Sequence, residues 1–295
     1  MLNIIKEKIN NMEQLILQNS IIKMIIVPAQ GGRIVEYSRE GLNIFYRNPE
    51  CIGVKGDINA DMVWRNWLNV GGYKVWPAPQ SRWKWPPIFD IDLNTFEYSI
   101  IEEKDRIQVT LVSPVSKVLK LQFKRTIIMK EASSAVDIEE EMINYGDEAA
   151  KWSLWGVTQA LSPGRVEIKL NSNVYFGGVN FFQEFGIPPQ EMYRLNRTEE
   201  GNILELTCNE LGRYKVGTVT DNTSIKYICN RYERPMIYTI DFDYEGEVLY
   251  PHGNNVEVYN ETYRKYVELE VLSEWKFIEP KESIKLNCTW NLEFQ

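Results

Sequence analysis

Two glutamates near the end of the chain are the first candidates for acid–base chemistry. Glu268 and Glu270 lie in the segment YVELEVL, whose alternation of apolar and polar residues is typical of a β-strand. Side chains two residues apart project from the same face of a strand, so the two carboxyl groups are expected within about 7 Å. Repulsion at this distance raises the proton affinity of at least one of them, which suits a general acid or base. On spacing alone, a solvated outer face of a sheet is the favoured interpretation.

The single histidine, His252, is the second candidate. It lies among turn residues in the segment YPHGNN, and an imidazole that titrates near neutral pH can serve as a general acid or base in a cleft. A lone histidine in a loop is more often simply exposed. Catalysis by His252 therefore needs support from its surroundings.

A tryptophan-rich segment is the strongest candidate for ligand binding. Five of the nine tryptophans lie between Trp64 and Trp85. Indole rings stack on the C–H faces of sugars while neighbouring amide and guanidinium groups bind hydroxyls, although tryptophan is also common in cores. Trp64 and Trp67 are expected to pack inside and Trp76, Trp83 and Trp85 to lie nearer the ligand. The predicted substrate contacts of the segment are Lys74, Trp76, Gln80, Arg82, Trp83 and Trp85.

A glycine pair supplies one more candidate contact, Arg33. Gly31 and Gly32 permit a tight turn, and the guanidinium at its exit could bind ligand oxygens. No phosphate-binding loop or zinc motif is present, so no metal ion and no cofactor are expected. An oxygen-ligated calcium site is left open by four aspartates near the tryptophan segment, namely Asp57, Asp61, Asp90 and Asp92.

The elements that must position these residues are predicted to be β-strands. Alternating segments such as Arg106–Val112, Tyr266–Leu272 and Ser283–Phe294 recur along the chain, which favours one large antiparallel sandwich over residues 1–295. Helix is predicted only at Ile4–Leu17 and in a turn at Gln190–Leu195. The segments Asn48–Phe89 and Phe176–Glu200 are predicted to be long functional loops.

Charge and cysteine usage restrict the function classes. The net charge of −8 disfavours binding to nucleic acid or to anionic membranes. The first residues carry charges where a signal peptide would need an apolar run, and no apolar stretch is long enough to span a membrane. With four scattered cysteines and no paired motif, the expectation is a cytoplasmic protein.

Three motifs together resemble a known family. PAQGGRIVEY from Pro28 to Tyr37, GGYKVWPAPQSRW from Gly71 to Trp83, and YVELEVLS followed by IEPKESIKLNCTWNL are similar to a poorly characterised bacterial family of the galactose-mutarotase-like group. The resemblance implies an all-β fold, a large antiparallel β-supersandwich with few short helices, whose concave face binds carbohydrate. The best-known members are aldose 1-epimerases and hexose-phosphate epimerases. In these, a histidine protonates the ring oxygen and a carboxylate near the C-terminal end removes the anomeric hydroxyl proton.

The resemblance assigns the base more firmly than the acid. Glu270 matches the position of the catalytic carboxylate, with Glu268 as the alternative. The middle of this chain contains no histidine, and His252, 18 residues before Glu270, matches no histidine of the family motif. The expected ligand is a small carbohydrate or sugar phosphate. Three functions therefore remain open. The first is an epimerase with His252, a tyrosine or a lysine as acid, the second a protein that binds a sugar or oligosaccharide without turnover, and the third an accessory to polysaccharide lyases or hydrolases. Neither the identity of the sugar nor the oligomeric state follows from the sequence.

Overall fold

Two antiparallel β-sheets make up most of the described structure. The computed structural model describes residues 2–170, 178–198, 201–246 and 248–295. With strands numbered along the chain, the first sheet has twelve strands: β1 (Asn3–Ile9), β2 (Met12–Gln18), β3 (Ile22–Val27), β4 (Arg33–Arg39), β5 (Leu42–Asn43), β6 (Gly72–Ala78), β11 (Ala150–Leu161), β13 (Val179–Phe181), β16 (Tyr214–Thr218), β19 (Val256–Glu261), β20 (Tyr266–Leu272) and β21 (Lys276–Ile278).

The second sheet has ten strands: β7 (Glu97–Glu102), β8 (Arg106–Val112), β9 (Leu121–Lys130), β10 (Val136–Asn144), β12 (Gly164–Lys169), β14 (Tyr193–Thr198), β15 (Gly201–Cys208), β17 (Ser224–Cys229), β18 (Met236–Phe242) and β22 (Ser283–Phe294). One short helix, α1 (Phe89–Asp92), precedes β7. None of the helices in the described residues is long and apolar enough to cross a membrane. The predicted all-β antiparallel sandwich is confirmed.

The strand order places β11 and β20 near the middle of the first sheet. That sheet runs β1-β2-β3-β4-β6-β11-β20-β19-β16-β13, with β5 paired to β4 and β21 to β11. The second runs β14-β15-β12-β17-β18-β22-β10-β9-β8-β7. The apolar core contains residues of both sheets, including Leu269 of β20 and Trp290 of β22. Because side chains alternate along a strand, the opposite face of β20 carries the two glutamates.

The predicted helix at Ile4–Leu17 is wrong. These residues form the β1–β2 hairpin, in which Ile9 pairs with Met12. Its two turn residues, Asn10 and Asn11, have φ angles of 49° and 64°. Two consecutive residues with positive φ are the mark of the tight turn that matches the twist of a hairpin, and asparagine tolerates this conformation better than most residues. The turn predicted at Gln190–Leu195 consists of a short 3₁₀ turn, Gln190–Met192, followed by β14.

The two predicted long loops are interrupted by strands. Strand β6, with the sequence GYKVWPA, lies within the segment Asn48–Phe89 and pairs with β11 over its whole length. In the segment Phe176–Glu200, residues 176, 177, 199 and 200 lie outside the described residues. The remainder contains β13 and β14. The irregular part of the first segment is therefore shorter than predicted.

All four cysteines are buried thiols without a disulfide partner. Cys51 lies in a small apolar cluster beside the tryptophan segment, whereas Cys208, Cys229 and Cys288 lie in the main core. Burial raises the pKa of each thiol, and it raises that of Cys208 to about 12. A thiol kept protonated is a poor nucleophile, so these cysteines are inert in the folded protein.

Candidate functional site

A buried polar cluster occupies the face of the first sheet that points away from the core between the two sheets. Its members come from five adjacent strands, β6, β11, β20, β19 and β16. Cross-strand pairing places Glu257 opposite Glu270 and Gln159 opposite Glu268. These residues share a face because each alternates with an apolar neighbour that points into the core. The cluster consists of Lys74, Gln159, Lys215, Glu257, Glu268 and Glu270.

Lys215 links two fully buried glutamates. Its Nζ lies 2.7 Å from Glu257 Oε2 and 2.8 Å from Glu270 Oε2. The same oxygen of Glu270 accepts a hydrogen bond of 2.6 Å from Trp155 Nε1. Glu270 Oε1 has no hydrogen-bond partner among the described residues. One cation thus serves two carboxyl groups.

The two glutamates beside Lys215 have opposite proton affinities. Burial raises the pKa of Glu270 to about 8, because it outweighs the attraction of Lys215, and repulsion by Glu257 adds to the shift. Burial also opposes ionisation of Glu257, but Lys215 and His252 outweigh it and lower its pKa to about 2. Near neutral pH, Glu257 is therefore ionised and Glu270 holds a proton. That proton is expected on Oε1, since Oε2 already accepts two hydrogen bonds.

His252 belongs to this cluster through Glu257. Its Nδ1 lies 3.0 Å from Glu257 Oε1, and its side chain is 21% exposed. Its ring packs against Trp155 and Phe182, with centroids 5.9 and 6.2 Å away. The sequence candidate His252 is thus close to Glu270, but it contacts Glu257 and not Glu270 itself.

Glu268 is the carboxyl group that reaches the surface of the site. Its Oε1 accepts hydrogen bonds of 2.8 Å from Gln159 and 3.2 Å from Lys74, and the side chain is 14% exposed. Burial lowers the pKa of Lys74, although the nearby carboxylate of Glu268 acts to raise it. The prediction that Glu268 and Glu270 share one face is confirmed. Their environments differ, because only Glu268 borders a cavity.

That cavity, here called the indole cavity, has a volume of about 460 Å³. Indoles of the tryptophan segment form one side of it and contact each other, with ring centroids 4.8 Å apart for Trp67 and Trp85 and 5.6 Å for Trp64 and Trp85. An apolar wall with a few polar groups is typical of small-molecule sites. The lining residues are Trp64, Trp67, Trp76, Gln80, Trp85, Trp155, Phe185, Arg213, Lys215, Tyr259, Glu261, Tyr266 and Glu268.

The predicted division among the tryptophans is wrong in part. Trp64, expected inside, lines the indole cavity and is 55% exposed. Trp67 is buried in an apolar cluster as expected, 9% exposed, although one face of it lines the cavity. Trp83, expected near the ligand, lies outside the lining and donates a hydrogen bond of 2.7 Å to Pro77 O. Between Trp83 and Trp85, Lys84 has a φ of 60°, so the two rings do not follow the alternation of a strand.

Of the remaining predicted contacts, only Gln80 lines the indole cavity. Arg82 donates to Lys151 O at 2.7 Å and lies 5.1 Å from the Trp152 ring, on the other side of the segment. Lys74 is buried beneath the Trp76 ring, 4.5 Å from its centroid. Arg33 is 1% exposed and forms an ion pair of 2.7 Å with Asp92. The Arg33 guanidinium thus binds Asp92 of α1 and does not line the indole cavity.

Most of the site outside the tryptophan segment and β20 was not identified from the sequence, including Gln159, Lys215 and Glu257 of the polar cluster. Lys215 lies between Tyr214 and Val216 in β16, and Glu257 lies between two valines in β19. This alternation is the same signal that identified Glu268 and Glu270. Asp92, one of the four aspartates near the tryptophan segment, accepts hydrogen bonds from two cavity indoles. Asp90 accepts hydrogen bonds from Ser116 and the Lys117 amide. In the part of the chain that the structure describes, no group of three or more His, Cys, Asp or Glu could hold a metal ion.

The fold is that of galactose mutarotase-like proteins. A galactose mutarotase-like protein from Clostridium acetobutylicum matches 100% of this chain and 99% of its own, with a TM-score of 0.63 and 14% identity. A candidate aldose 1-epimerase from Klebsiella pneumoniae matches 96% of this chain and 79% of its own, with a TM-score of 0.63 and 9% identity. At these identities the likeness concerns the fold alone.

A larger protein contains the same fold. A TPR-domain-containing protein from Parabacteroides distasonis is similar over 95% of this chain, with a TM-score of 0.62 and 14% identity, and the match spans about half (47%) of that protein. No curated protein matches the sequence. One family model matches residues 12–293, nearly the whole chain. The protein therefore belongs to the family described as a domain of unknown function, DUF4380.

Proposed function

We propose that this protein binds a carbohydrate in the indole cavity. The observation that carries the proposal is the wall of four indoles, Trp64, Trp67, Trp76 and Trp85, facing a floor of hydrogen-bonding side chains. Pyranose rings present C–H faces that stack on indoles and a rim of hydroxyls that needs donors and acceptors. Both requirements are met within one cavity.

The dimensions and polarity of the indole cavity agree with a small sugar. Its volume of about 460 Å³ lies within the range of ligand pockets, roughly 300–1,000 Å³. Glu268 and Glu261 supply acceptors, and Gln80 supplies both donor and acceptor atoms. Arg213 lines the opposite rim, where its Nε donates to Tyr259 Oη at 3.0 Å. Its exposed guanidinium favours a ligand with an anionic substituent, so sugar phosphates belong in any test of binding.

Tryptophan fluorescence titration tests the binding proposal. The probes are D-glucose, D-galactose, D-mannose and their 6-phosphates. Wild-type protein is expected to give a saturable change with at least one of them. Trp85→Ala is expected to abolish that change or to weaken the affinity about tenfold, whereas the matched control Trp83→Ala keeps it, since Trp83 lies outside the cavity. No saturable response to any probe would contradict the proposal.

A second candidate function is aldose 1-epimerisation in the same cavity. The observation that favours it is the position of Glu268, a carboxyl group at the cavity surface on the same wall as Lys215. In this reaction a base removes the proton of the anomeric hydroxyl while an acid protonates the ring oxygen. The C1–O5 bond then breaks, and the ring closes again on the other face of the aldehyde. Glu268 is favoured as the base over Glu270, which is sealed beneath Lys215 and Trp155.

Polarimetry and NMR exchange on the same sugars separate the two functions. If the protein is an epimerase, Glu268→Gln is expected to slow anomer exchange about 100-fold or more with little loss of folded protein. Glu270→Gln, which keeps an uncharged side chain of the same shape, is expected to retain most of the rate. Saturable binding without any acceleration by the wild type would leave carbohydrate binding as the function.

A further inference from the structure

Asp92 is the common hydrogen-bond acceptor of two indoles in the cavity wall. Its Oδ1 accepts from Trp76 Nε1 at 2.7 Å and its Oδ2 from Trp67 Nε1 at 2.8 Å. Arg33 Nη2 donates to the same Oδ1 at 2.7 Å and to the Asp92 carbonyl at 3.2 Å. The Asp92 side chain is 1% exposed, so water does not compete for these bonds.

The glycine turn before Arg33 makes this arrangement possible. Gly31 has a φ of 72°, and a Cβ at this position would lie 2.2 Å from the Asp92 carbonyl oxygen. Its amide donates a hydrogen bond of 2.8 Å to Asn94 O, just beyond helix α1. Only a glycine allows the turn to approach the end of α1 so closely. The Gly31-Gly32-Arg33 motif therefore holds Asp92 in place instead of contacting a ligand.

We propose that Asp92 is the positioning residue of the indole cavity. By fixing the Nε1 atoms of Trp67 and Trp76, it sets the angle at which their rings meet the ligand. Trp85 packs on both rings, with centroids 4.8 and 6.2 Å away, so the orientation extends to a third indole. The inference rests on the proposed carbohydrate function for its effect on affinity. The orientation itself is a property of the free protein.

The removal of one acceptor is expected to release an indole. In Asp92→Asn, one carboxylate oxygen becomes an NH₂ group, which cannot accept a hydrogen bond from an indole N–H or from Arg33. Bonds to an ionised acceptor are stronger than those between neutral groups, so the remaining bonds also weaken. Carbohydrate affinity is therefore expected to fall about tenfold or more.

Indole N–H signals in ¹H–¹⁵N spectra give a direct readout of orientation. The chain has nine tryptophans, and Trp67→Phe and Trp76→Phe assign the two signals of interest. In Asp92→Asn, these two are expected to move more than the others. The matched control is Asp90→Asn, two residues earlier in α1, where the carboxylate binds Ser116 and the Lys117 amide. It is expected to leave both signals and the affinity unchanged.

A second variant separates positioning from stability. Arg33→Lys removes the planar contact to Asp92 but leaves both indole–carboxylate bonds, so it is expected to lower the melting temperature with little change in the two signals or in affinity. Unmoved signals in Asp92→Asn would overturn the inference. The inference would also be overturned if Arg33→Lys lost as much carbohydrate affinity as Asp92→Asn while the Trp67 and Trp76 signals stayed unmoved. If the wild type binds none of the six sugars, the proposed function fails, while the signals of the free protein still decide the role of Asp92.

Discussion

Two buried ion clusters in this protein differ in their surroundings and in their charge balance. Arg125 and Glu140 pair one to one inside the sandwich, where both are at most 2% exposed and Arg125 also donates to Gly32 O. Lys215, on the outward face of the first sheet, serves both Glu257 and Glu270 beside the indole cavity. The first cluster is neutral as a pair. The second carries one carboxyl group in excess.

The difference separates a structural ion pair from a site suited to chemistry. In the Arg125–Glu140 pair, each charge is satisfied by the other, and neither is available to a ligand. Behind the cavity wall, Glu270 remains protonated near neutral pH, and its Oε1 has no hydrogen-bond partner among the described residues. Burial raises the pKa of Glu140 as well, but that carboxyl group is 1% exposed and paired with Arg125 inside the core. A raised pKa beside a cavity is characteristic of functional sites, whereas a paired ion in a core is not.

The largest expected effect comes from breaking the pair between the sheets. Arg125→Met leaves Glu140 buried without a cation, and the free energy of unfolding is expected to fall by about 3–5 kcal/mol. Urea unfolding followed by circular dichroism measures it. Carbohydrate affinity per folded molecule is expected to stay the same. The double variant Arg125→Met/Glu140→Leu should recover most of the stability, and a loss below about 1 kcal/mol in the single variant would contradict the structural role.

The second prediction concerns the pH dependence contributed by Glu270. Because its pKa is raised to about 8 in the folded state, the folded protein holds a proton that the unfolded chain releases above about pH 4.5. Stability from this group is therefore lost as pH rises toward 8, by about 2 kcal/mol between pH 6 and 7.5. Glu270→Gln removes that part of the slope. Unfolding at several pH values measures it, with the exposed Glu103→Gln as a control that keeps the wild-type slope.

The third prediction tests the carboxyl group at the cavity surface. Glu268→Gln is expected to weaken carbohydrate binding about tenfold and to lower the free energy of unfolding by about 1–2 kcal/mol, since Lys74 loses its counter-charge. Calorimetry or fluorescence titration measures the affinity. Glu36→Gln, an ion-paired glutamate on the same sheet outside the cavity, is the control. If Glu268→Gln and Glu36→Gln bind carbohydrate with equal affinity, Glu268 does not contact the ligand.

The smallest effect is expected at the exposed edge of the indole wall. Trp64→Ala removes a ring that is 55% exposed, so the free energy of unfolding should change by less than about 0.5 kcal/mol. Affinity is expected to fall about threefold to tenfold through lost stacking. Tyr263→Ala, which removes an 88% exposed ring outside the cavity, should change neither quantity. A melting temperature lowered by several degrees in Trp64→Ala would assign that ring to the core.

Much of the fold was predictable because its signals are local. The alternation in β20 placed Glu268 and Glu270 on one face, and the same alternation gave the bounds of β8 and β22. The hairpin at Asn10 and Asn11 was missed because its apolar residues also fit a helical spacing. The two asparagines were the better signal, since they favour the positive φ angles that a hairpin turn requires.

The arrangement of the site was less predictable because it depends on contacts between distant segments. Glu268 and Glu270 are equivalent in the sequence, and only Lys215 and Trp155, from other strands, make one sealed and the other accessible. Asp92 lies 16 residues beyond Trp76, and no local pattern links them. Charge pairs and indole partners of this kind are set by the order of strands in the sheet.

The reactivity of the four buried thiols can show which regions of the protein open. Cys51 lies under the segment that leads to the indole wall, where Asn48 Nδ2 donates to its Sγ at 3.3 Å, whereas Cys208, Cys229 and Cys288 lie in the main core. A protected thiol reacts with a maleimide only when its region opens. Mass spectrometry of partially labelled protein would therefore show which region opens first. A bound sugar that holds the indole wall closed should slow the labelling of Cys51 more than that of the core cysteines.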